Sequence, residues 1–170
     1  MATENLIFEE ADPAAPEARE LIAALDRDLE ARYPGLAIHG IDASNFRATG
    51  GVFLIGRSEG LAVACGALRP SPGFMQDGAV ELKRMYVRQS HRGRGFAKAL
   101  VSALEQIAVQ RGYRSIRLET GDNQPEAIAL YESAGYRAIP CHGMDSDHRS
   151  RCFEKSLDND YIRQISSSRS

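Results

Sequence analysis

Apolar positions along the chain switch between two periods, and the switches mark the elements. Leu6–Ala11 (LIFEEA) is apolar enough for a first strand, which Pro13 and Pro16 interrupt. From Glu17, the residues Ala18, Leu21, Ile22, Leu25 and Leu29 recur at helical spacing with charges between them. That helix should stop at RYPG, where Pro34 disfavours helical geometry at Tyr33 and Gly35 supplies a turn. Residues 36–50 admit a short helix or an ordered loop. GGVFLIGR and GLAVACGALRP, separated by a polar SEG, read as a hairpin, and SPGFMQDG as a loop.

The strand AVELKRMYV carries an irregularity. Val80 and Leu82 share one parity, whereas Met85 and Val87 share the other, so the apolar phase slips by one residue at Lys83–Arg84. An extra residue that flips sidedness is what a β-bulge produces; a strand buried on both faces would also lack clean alternation. The following helix places Phe96, Leu100, Leu104 and Ile107 on one stripe, widened by Ala97, Val101 and Ala108, and Gly112 ends it. SIRLET is a strand, and GDNQPEAIALYESAG a short helix with Pro125 in its first turn and Gly135 closing it. YRAI and RCFEKSL make two final strands, joined by a polar connection around GMDSDH. The order is one α/β domain around a mixed sheet over residues 1–157, with a Ser-rich, mobile tail over 158–170.

Composition adds exclusions. With 43% hydrophobic and 26% charged residues, the 170-residue chain is an ordinary globular one with enough length for a sizeable core. A net charge of −2 argues against a general nucleic-acid or membrane-surface binder. MATENLIFEEADP contains no basic region followed by an apolar run, so no signal peptide is visible, and the expected location is cytoplasmic. Cys65, Cys141 and Cys152 are odd in number and contain no C-x-x-C pair, which reads as reduced thiols rather than a disulfide framework or a metal site. Cys141 and His142 are neighbours, but two such residues without further ligands make no zinc site.

Charge is unevenly distributed. No Asp or Glu occurs from Leu82 to Leu104, where Arg88, Arg92, Arg94 and Lys98 surround two glycines at a predicted helix start. Helix N-termini present unpaired N–H groups and partial positive charge, and glycines let an anion approach the backbone. Gly93, Gly95 and the cations therefore suit a phosphate or pyrophosphate; the plainer reading is a turn that needs glycine for its geometry. The spacing fits neither a P-loop nor a dinucleotide fingerprint, whose third glycine is absent. One basic turn without interleaved aromatics is thin support for nucleic acid.

Arg92–Ala97 (RGRGFA), reached from ELKRMYV, resembles the [QR]-x-x-G-x-[GA] signature of the acetyl-CoA-dependent N-acetyltransferases of the GNAT superfamily. Asn123–Tyr136 (NQPEAIALYESAGY) resembles that family's N-x-x-A-x-x-L-Y-x-x-x-G-[FY] segment, with one extra residue between Asn123 and Ala127, and the two motifs stand in the right order. Gln89 departs from the proline many members carry after the strand. The resemblance implies a mixed, mostly antiparallel sheet flanked by helices, with a bulged strand opening a V-shaped acyl-CoA cleft. It implies that Met85, Tyr86 and Val87 pair with the pantetheine arm and that Arg92, Gly93, Arg94, Gly95, Phe96, Ala97 and Lys98 hold the pyrophosphate. Asn123 would contact the cofactor, or else cap the helix that Pro125 begins. No metal is implied.

Moving an acetyl group from a thioester to an amine needs a deprotonated amine, a donor for the oxyanion and a proton for the departing thiolate. The resemblance makes Tyr131 the thiolate's proton donor; as a bare residue it is also what a core tyrosine on an amphipathic helix looks like. Glu81 is the candidate base, or a surface Glu paired with Lys83 or Arg84. Strand N–H groups near Val87 would serve the oxyanion. The function implied is direct transfer, in a ternary complex, from acetyl-CoA to a small primary amine that the acidic N-terminal helix could attract. Acetylation of a peptide N-terminus or protein lysine, and a noncatalytic acyl-CoA-binding module, are the alternatives. The expected partners are acetyl-CoA and an amine acceptor, with no nucleic acid or membrane, in a monomer or homodimer.

Overall fold

Strands β1 (Leu6–Glu10), β2 (Val52–Ser58), β3 (Leu61–Arg69), β4 (Ala79–Val87), β5 (Ser115–Gly121), β6 (Arg137–Ile139) and β7 (Ser150–Ser156) form one seven-stranded sheet in the order β1-β2-β3-β4-β5-β7-β6. Helices α1 (Pro16–Arg32), α2 (Ala43–Ala48), α3 (Phe96–Gln110), α4 (Pro125–Ser133) and α5 (Asn159–Ser167) accompany it. The computed structural model describes residues 5–36, 41–70, 77–141 and 148–167. The chain divides into two compact units, Met1–Arg69 with Lys83–Leu104, and Pro70–Leu82 with Glu105–Ser170.

In the first unit β1, β2 and β3 are antiparallel neighbours. The β2–β3 hairpin turns through Glu59 and Gly60, both left-handed (φ 50° and 82°), the backbone that matches strand twist in a two-residue turn. Leu21 and Ala18 of α1 pack with Phe46 of α2 and with Phe53, Ile55, Cys65 and Ala67 of the sheet. Burial of a side chain as large as Leu21 or Phe53 contributes roughly 1.5–3 kcal/mol. The ambiguity over residues 36–50 resolves as α2, whose start is fixed by the Asp42 carboxylate accepting from the N–H groups of Ser44 (3.0 Å) and Asn45 (3.1 Å). Gly66 of β3 has a steric reason to be glycine. A Cβ there would lie 2.6 Å from Met85 Sδ and 2.9 Å from Leu104.

In the second unit the first half of β4 runs parallel to β5, with Ala79 to Leu82 opposite Ser115 to Leu118. β7 inserts antiparallel between β5 and β6. Residues in register share a face. Leu82, Leu118, Phe153 and Ala138 therefore form one row, and Glu81, Arg117, Glu154 and Arg137 form a row of alternating charge on the opposite face.

Two expectations are corrected. Cys141 and Cys152 are joined in a disulfide (Cα–Cα 5.3 Å), because β7 folds back along β6 with Cys152 opposite Ile139. A sequence separation of 11 conceals a contact that the hairpin creates. Cys65 alone stays a free thiol, and burial pushes its pKa up to about 12. Within the C-terminal segment Asn159–Ser167 is helical, and Tyr161 is buried. The expected loop at Ser71–Gln76 and the residues His142 to Asp147 lie outside the described residues.

Candidate functional site

The phase slip in β4 has a backbone counterpart. Arg84 sits in the left-handed region at φ 57°, which turns the strand's sidedness at the expected place. Its guanidinium bonds Asp26 of α1 at 2.9 Å, and its carbonyl accepts from the Cys65 thiol at 3.3 Å. Beyond it, Arg88 N–H donates to Val63 O of β3 at 2.8 Å. Main-chain alternation then directs the Val87 N–H to the edge of β4 away from β3.

A single 3-10 turn, Gln89–His91, leads to Gly93 and Gly95, both left-handed (φ 77° and 80°). Space around a Cβ at either glycine is open, with no atom within 4 Å. The Ala99 N–H closes the first turn of α3 on Gly95 O, so the N–H groups of Phe96, Ala97 and Lys98 have no acceptor inside the helix. The result is an exposed cradle of main-chain donors at a helix's positive end, suited to a pyrophosphate.

The arginines are less free than their spacing implied. Arg92 donates through Nε to Val87 O (2.9 Å), lies over the Tyr86 ring (5.6 Å) and faces Asp28 at 3.7 Å. Arg88 donates to Ala62 O and approaches Glu20 at 3.8 Å. Three acids of α1 thus face arginines of β4 and its turn, which weakens the idea that this helix attracts a cationic amine. Arg94 reaches Ser90 O at 3.4 Å, while Lys98 has no partner among the described residues. Phe96 is buried and stacks on His91 at 6.1 Å, pinning the helix start.

The other predicted residues belong to the second unit. Tyr131 of α4 is buried, edge-on to Tyr136 (5.6 Å) and tilted against Phe153 (6.4 Å). Burial raises its pKa above the ordinary phenol value, so the hydroxyl holds its proton. Asn123 is exposed, and the residue at the N-cap of α4 is Gln124. Gln124 accepts through its side chain from Gly121 N–H (3.1 Å) and Thr120 (3.2 Å). Glu81 lies in register with Arg117, which bonds Glu154 (2.9 Å) and Asp77 (3.2 Å). Glu81 and Tyr131 are thereby associated with opposite faces of the same strands, since Tyr131 packs on Phe153.

A buried polar cluster lies beside Tyr136. Glu105 of α3, only 3% exposed, accepts from Lys155 of β7 and from the Tyr161 hydroxyl of α5. A charged residue within a helix ordinarily marks a solvent face, so no local signal pointed to it. Among the described residues no group of three or more His, Cys, Asp and Glu side chains could hold a metal ion, and no helix is long and apolar enough to cross a membrane.

Comparison with known proteins agrees with this architecture. The sequence model of the Acetyltransferase (GNAT) family matches residues 13–136. An IAA acetyltransferase of Azospirillum brasilense is 32% identical over 132 residues, covering 78% of this chain and 84% of that protein. N-acetyltransferase 8 of Homo sapiens is 35% identical over 98 residues; the match covers 57% of this chain but 43% of that protein. A solved Klebsiella pneumoniae chain, described as an acyl-CoA N-acyltransferase, superposes with a TM-score of 0.75 at 34% identity, covering 90% of this chain and 98% of its own. The Salmonella typhimurium chain yncA, solved with its cofactor acetyl-CoA, shares the fold at a TM-score of 0.64 and 20% identity, covering 91% of this chain and 95% of its own.

Proposed function

Since the chain belongs to the Acetyltransferase (GNAT) family and is an acyltransferase that uses acetyl-CoA, we propose that it carries the acetyl group directly to a small primary amine in a ternary complex. The observation that carries this reading is the cradle at Gly93–Lys98: open space above two left-handed glycines, with the main-chain donors of Phe96, Ala97 and Lys98 beneath it. The pyrophosphate of acetyl-CoA belongs there, with Arg94 and Lys98 adding charge. Arg92 supports the turn from Val87 O while keeping its exposed edge toward the phosphates. Met85, Tyr86 and Val87 present main chain to the pantetheine arm, and Asn123 contacts the cofactor from the loop before α4. The reading includes a cytoplasmic location.

In the reaction, the amine lone pair attacks the thioester carbonyl and the carbonyl electrons move onto oxygen. The Val87 N–H, directed away from β3, donates to that oxyanion. The attacking nitrogen gives its second proton to solvent, and collapse then breaks the C–S bond and leaves the amide and the thiolate of coenzyme A. Glu81, directly or through water, takes the proton that the ammonium must lose. Tyr131 serves the departing sulfur. A buried phenol with a raised pKa does not fully surrender its proton to a thiol that titrates near 8.5, so its contribution is a hydrogen bond to the leaving group. Such a bond to a charged partner is worth about 1.5–3 kcal/mol, or roughly a ten- to hundredfold effect on turnover. The opposite-face placement of Glu81 and Tyr131 suits an amine arriving on one side of the thioester and sulfur leaving on the other.

The test is release of free thiol from acetyl-CoA in the presence of putrescine, tyramine, lysine and glycine, with the acetylated amine identified by mass spectrometry. Release above the amine-free rate with at least one of these small amines supports the proposal. A folded protein that binds acetyl-CoA yet acetylates only peptide or protein amines would overturn the small-amine assignment.

A further inference from the structure

Glu105, Lys155 and Tyr161 meet at the end of the helix that carries Tyr131. Lys155 donates to both oxygens of Glu105 (3.1 and 3.2 Å) and, at 2.7 Å, to Ala134 O, the carbonyl that closes α4. Its ammonium therefore lies at the negative end of the α4 dipole, where a cation is favoured. The lysine stem passes 3.6 Å from the position of a Cβ on Gly135, and the ammonium lies 5.7 Å from the Tyr136 ring centroid and 4.6 Å from that of Tyr161. Gly135 is left-handed (φ 90°), and the Tyr136 N–H turns back onto Tyr131 O at 2.9 Å. Lys155 thus braces the helix end from which both aromatic residues emerge.

A buried ion pair is a poor device for stability alone, because desolvation offsets most of the attraction and an apolar pair of similar volume would serve as well. What charge adds is direction: fixed hydrogen bonds at a defined helix end. The Tyr131 hydroxyl has no hydrogen-bond partner among the described residues, so its aim depends on Tyr136, Phe153 and the position of α4.

We propose that Lys155, held by Glu105 and the C-terminal helix through Tyr161, is a positioning residue that aims Tyr131 at the departing sulfur. The inference rests on the assignment of Tyr131 as donor to that sulfur. It gives α5, which lies beyond the segment matched by the family, a part in turnover without contact with substrate.

The test is a double-mutant cycle between the pair Glu105→Gln/Lys155→Met, which leaves no lone buried charge, and Tyr131→Phe. Thiol release from acetyl-CoA is followed with the best amine of the four named above, and folding is checked by circular dichroism. The paired variant is expected to lower kcat about tenfold, the size of coupling between neighbouring groups, with the acetyl-CoA KM within about twofold. In the Tyr131→Phe background it should cause no further loss, and Lys155→Arg should restore most of the turnover. Equal losses in both backgrounds, or no loss in the folded paired variant, would overturn the inference alone. An unchanged kcat in Tyr131→Phe itself would overturn the assignment of Tyr131 and the inference with it. A second readout needs no acceptor: 3-fluorotyrosine at position 131 should give one fluorine resonance with acetyl-CoA in the parent and several or a broadened one in the paired variant. A single unchanged line would contradict the positioning role.

Discussion

Arg84 and Asp26 form a 2.9 Å ion pair that ties the left-handed residue of β4 to helix α1. The Arg84 side chain is only 9% exposed, and a non-glycine residue at φ 57° carries backbone strain on the order of 1 kcal/mol. The pair therefore holds the strand in a conformation it would otherwise leave. Asp26→Asn should lower the unfolding free energy by about 2 kcal/mol, the range for a hydrogen bond to a charged group. Urea denaturation measures this; an unchanged midpoint would mean that the bulge needs no support from α1.

Gly95 separates the demands of fold and ligand. A Cβ there meets nothing within 4 Å, so Gly95→Ala should cost about 1 kcal/mol, from the left-handed backbone alone. Affinity for acetyl-CoA should fall by more than about tenfold, because the methyl group enters the space assigned to the pyrophosphate. Thermal unfolding and equilibrium binding measured on one preparation check both halves; loss of stability with intact binding would move the anion site elsewhere.

The Cys141–Cys152 link closes a short loop between β6 and β7. The chain-entropy estimate for a loop of this length is about 3 kcal/mol of stability. Replacing both cysteines by serine should lower stability by about that amount while leaving acetyl-CoA affinity unaltered. Unfolding curves of the parent, with and without reductant, should differ by a similar margin.

Cys65 gives an alkaline signature. Its thiol titrates near 9 when unperturbed, and burial pushes it up to about 12 in the fold. Its stabilising contribution is complete below pH 9 and is lost as pH rises from 9 toward 12, because the unfolded thiol ionises first. One proton corresponds to about 1.4 kcal/mol per pH unit in that window. The buried tyrosines join only above about pH 10. Cys65→Ala should therefore flatten the decline between pH 9 and 10; an unaltered slope would assign it to other groups.

Much of this fold was readable because its signals are local. The alternation and turn residues marked the β2–β3 hairpin, the stripe through Phe96, Leu100 and Leu104 marked α3, and the parity change at Lys83–Arg84 marked the left-handed residue. What escaped were pairings made by distant segments. Asp26 and Asp28 are charges between the apolar positions of α1, and nothing local marks their meeting with Arg84 and Arg92. The role of Glu105 escaped because its partners, Lys155 and Tyr161, are about fifty positions away. The Ser-rich end read as mobile, since a single tyrosine anchor has no periodicity. For the site, glycine spacing located the turn, while the anchoring of Arg92 and Arg88 by carbonyls and acids needed coordinates.

The turn at Gly93–Lys98 is the proposed site for the phosphates of acetyl-CoA. Calorimetric titration of the protein with acetyl-CoA, and in parallel with S-acetylpantetheine, which lacks the pyrophosphate, tests it most directly. Saturable binding of acetyl-CoA and at least about a hundredfold weaker binding of the truncated thioester are expected. Equal affinity for the two, or no binding of acetyl-CoA by the folded protein, would contradict it.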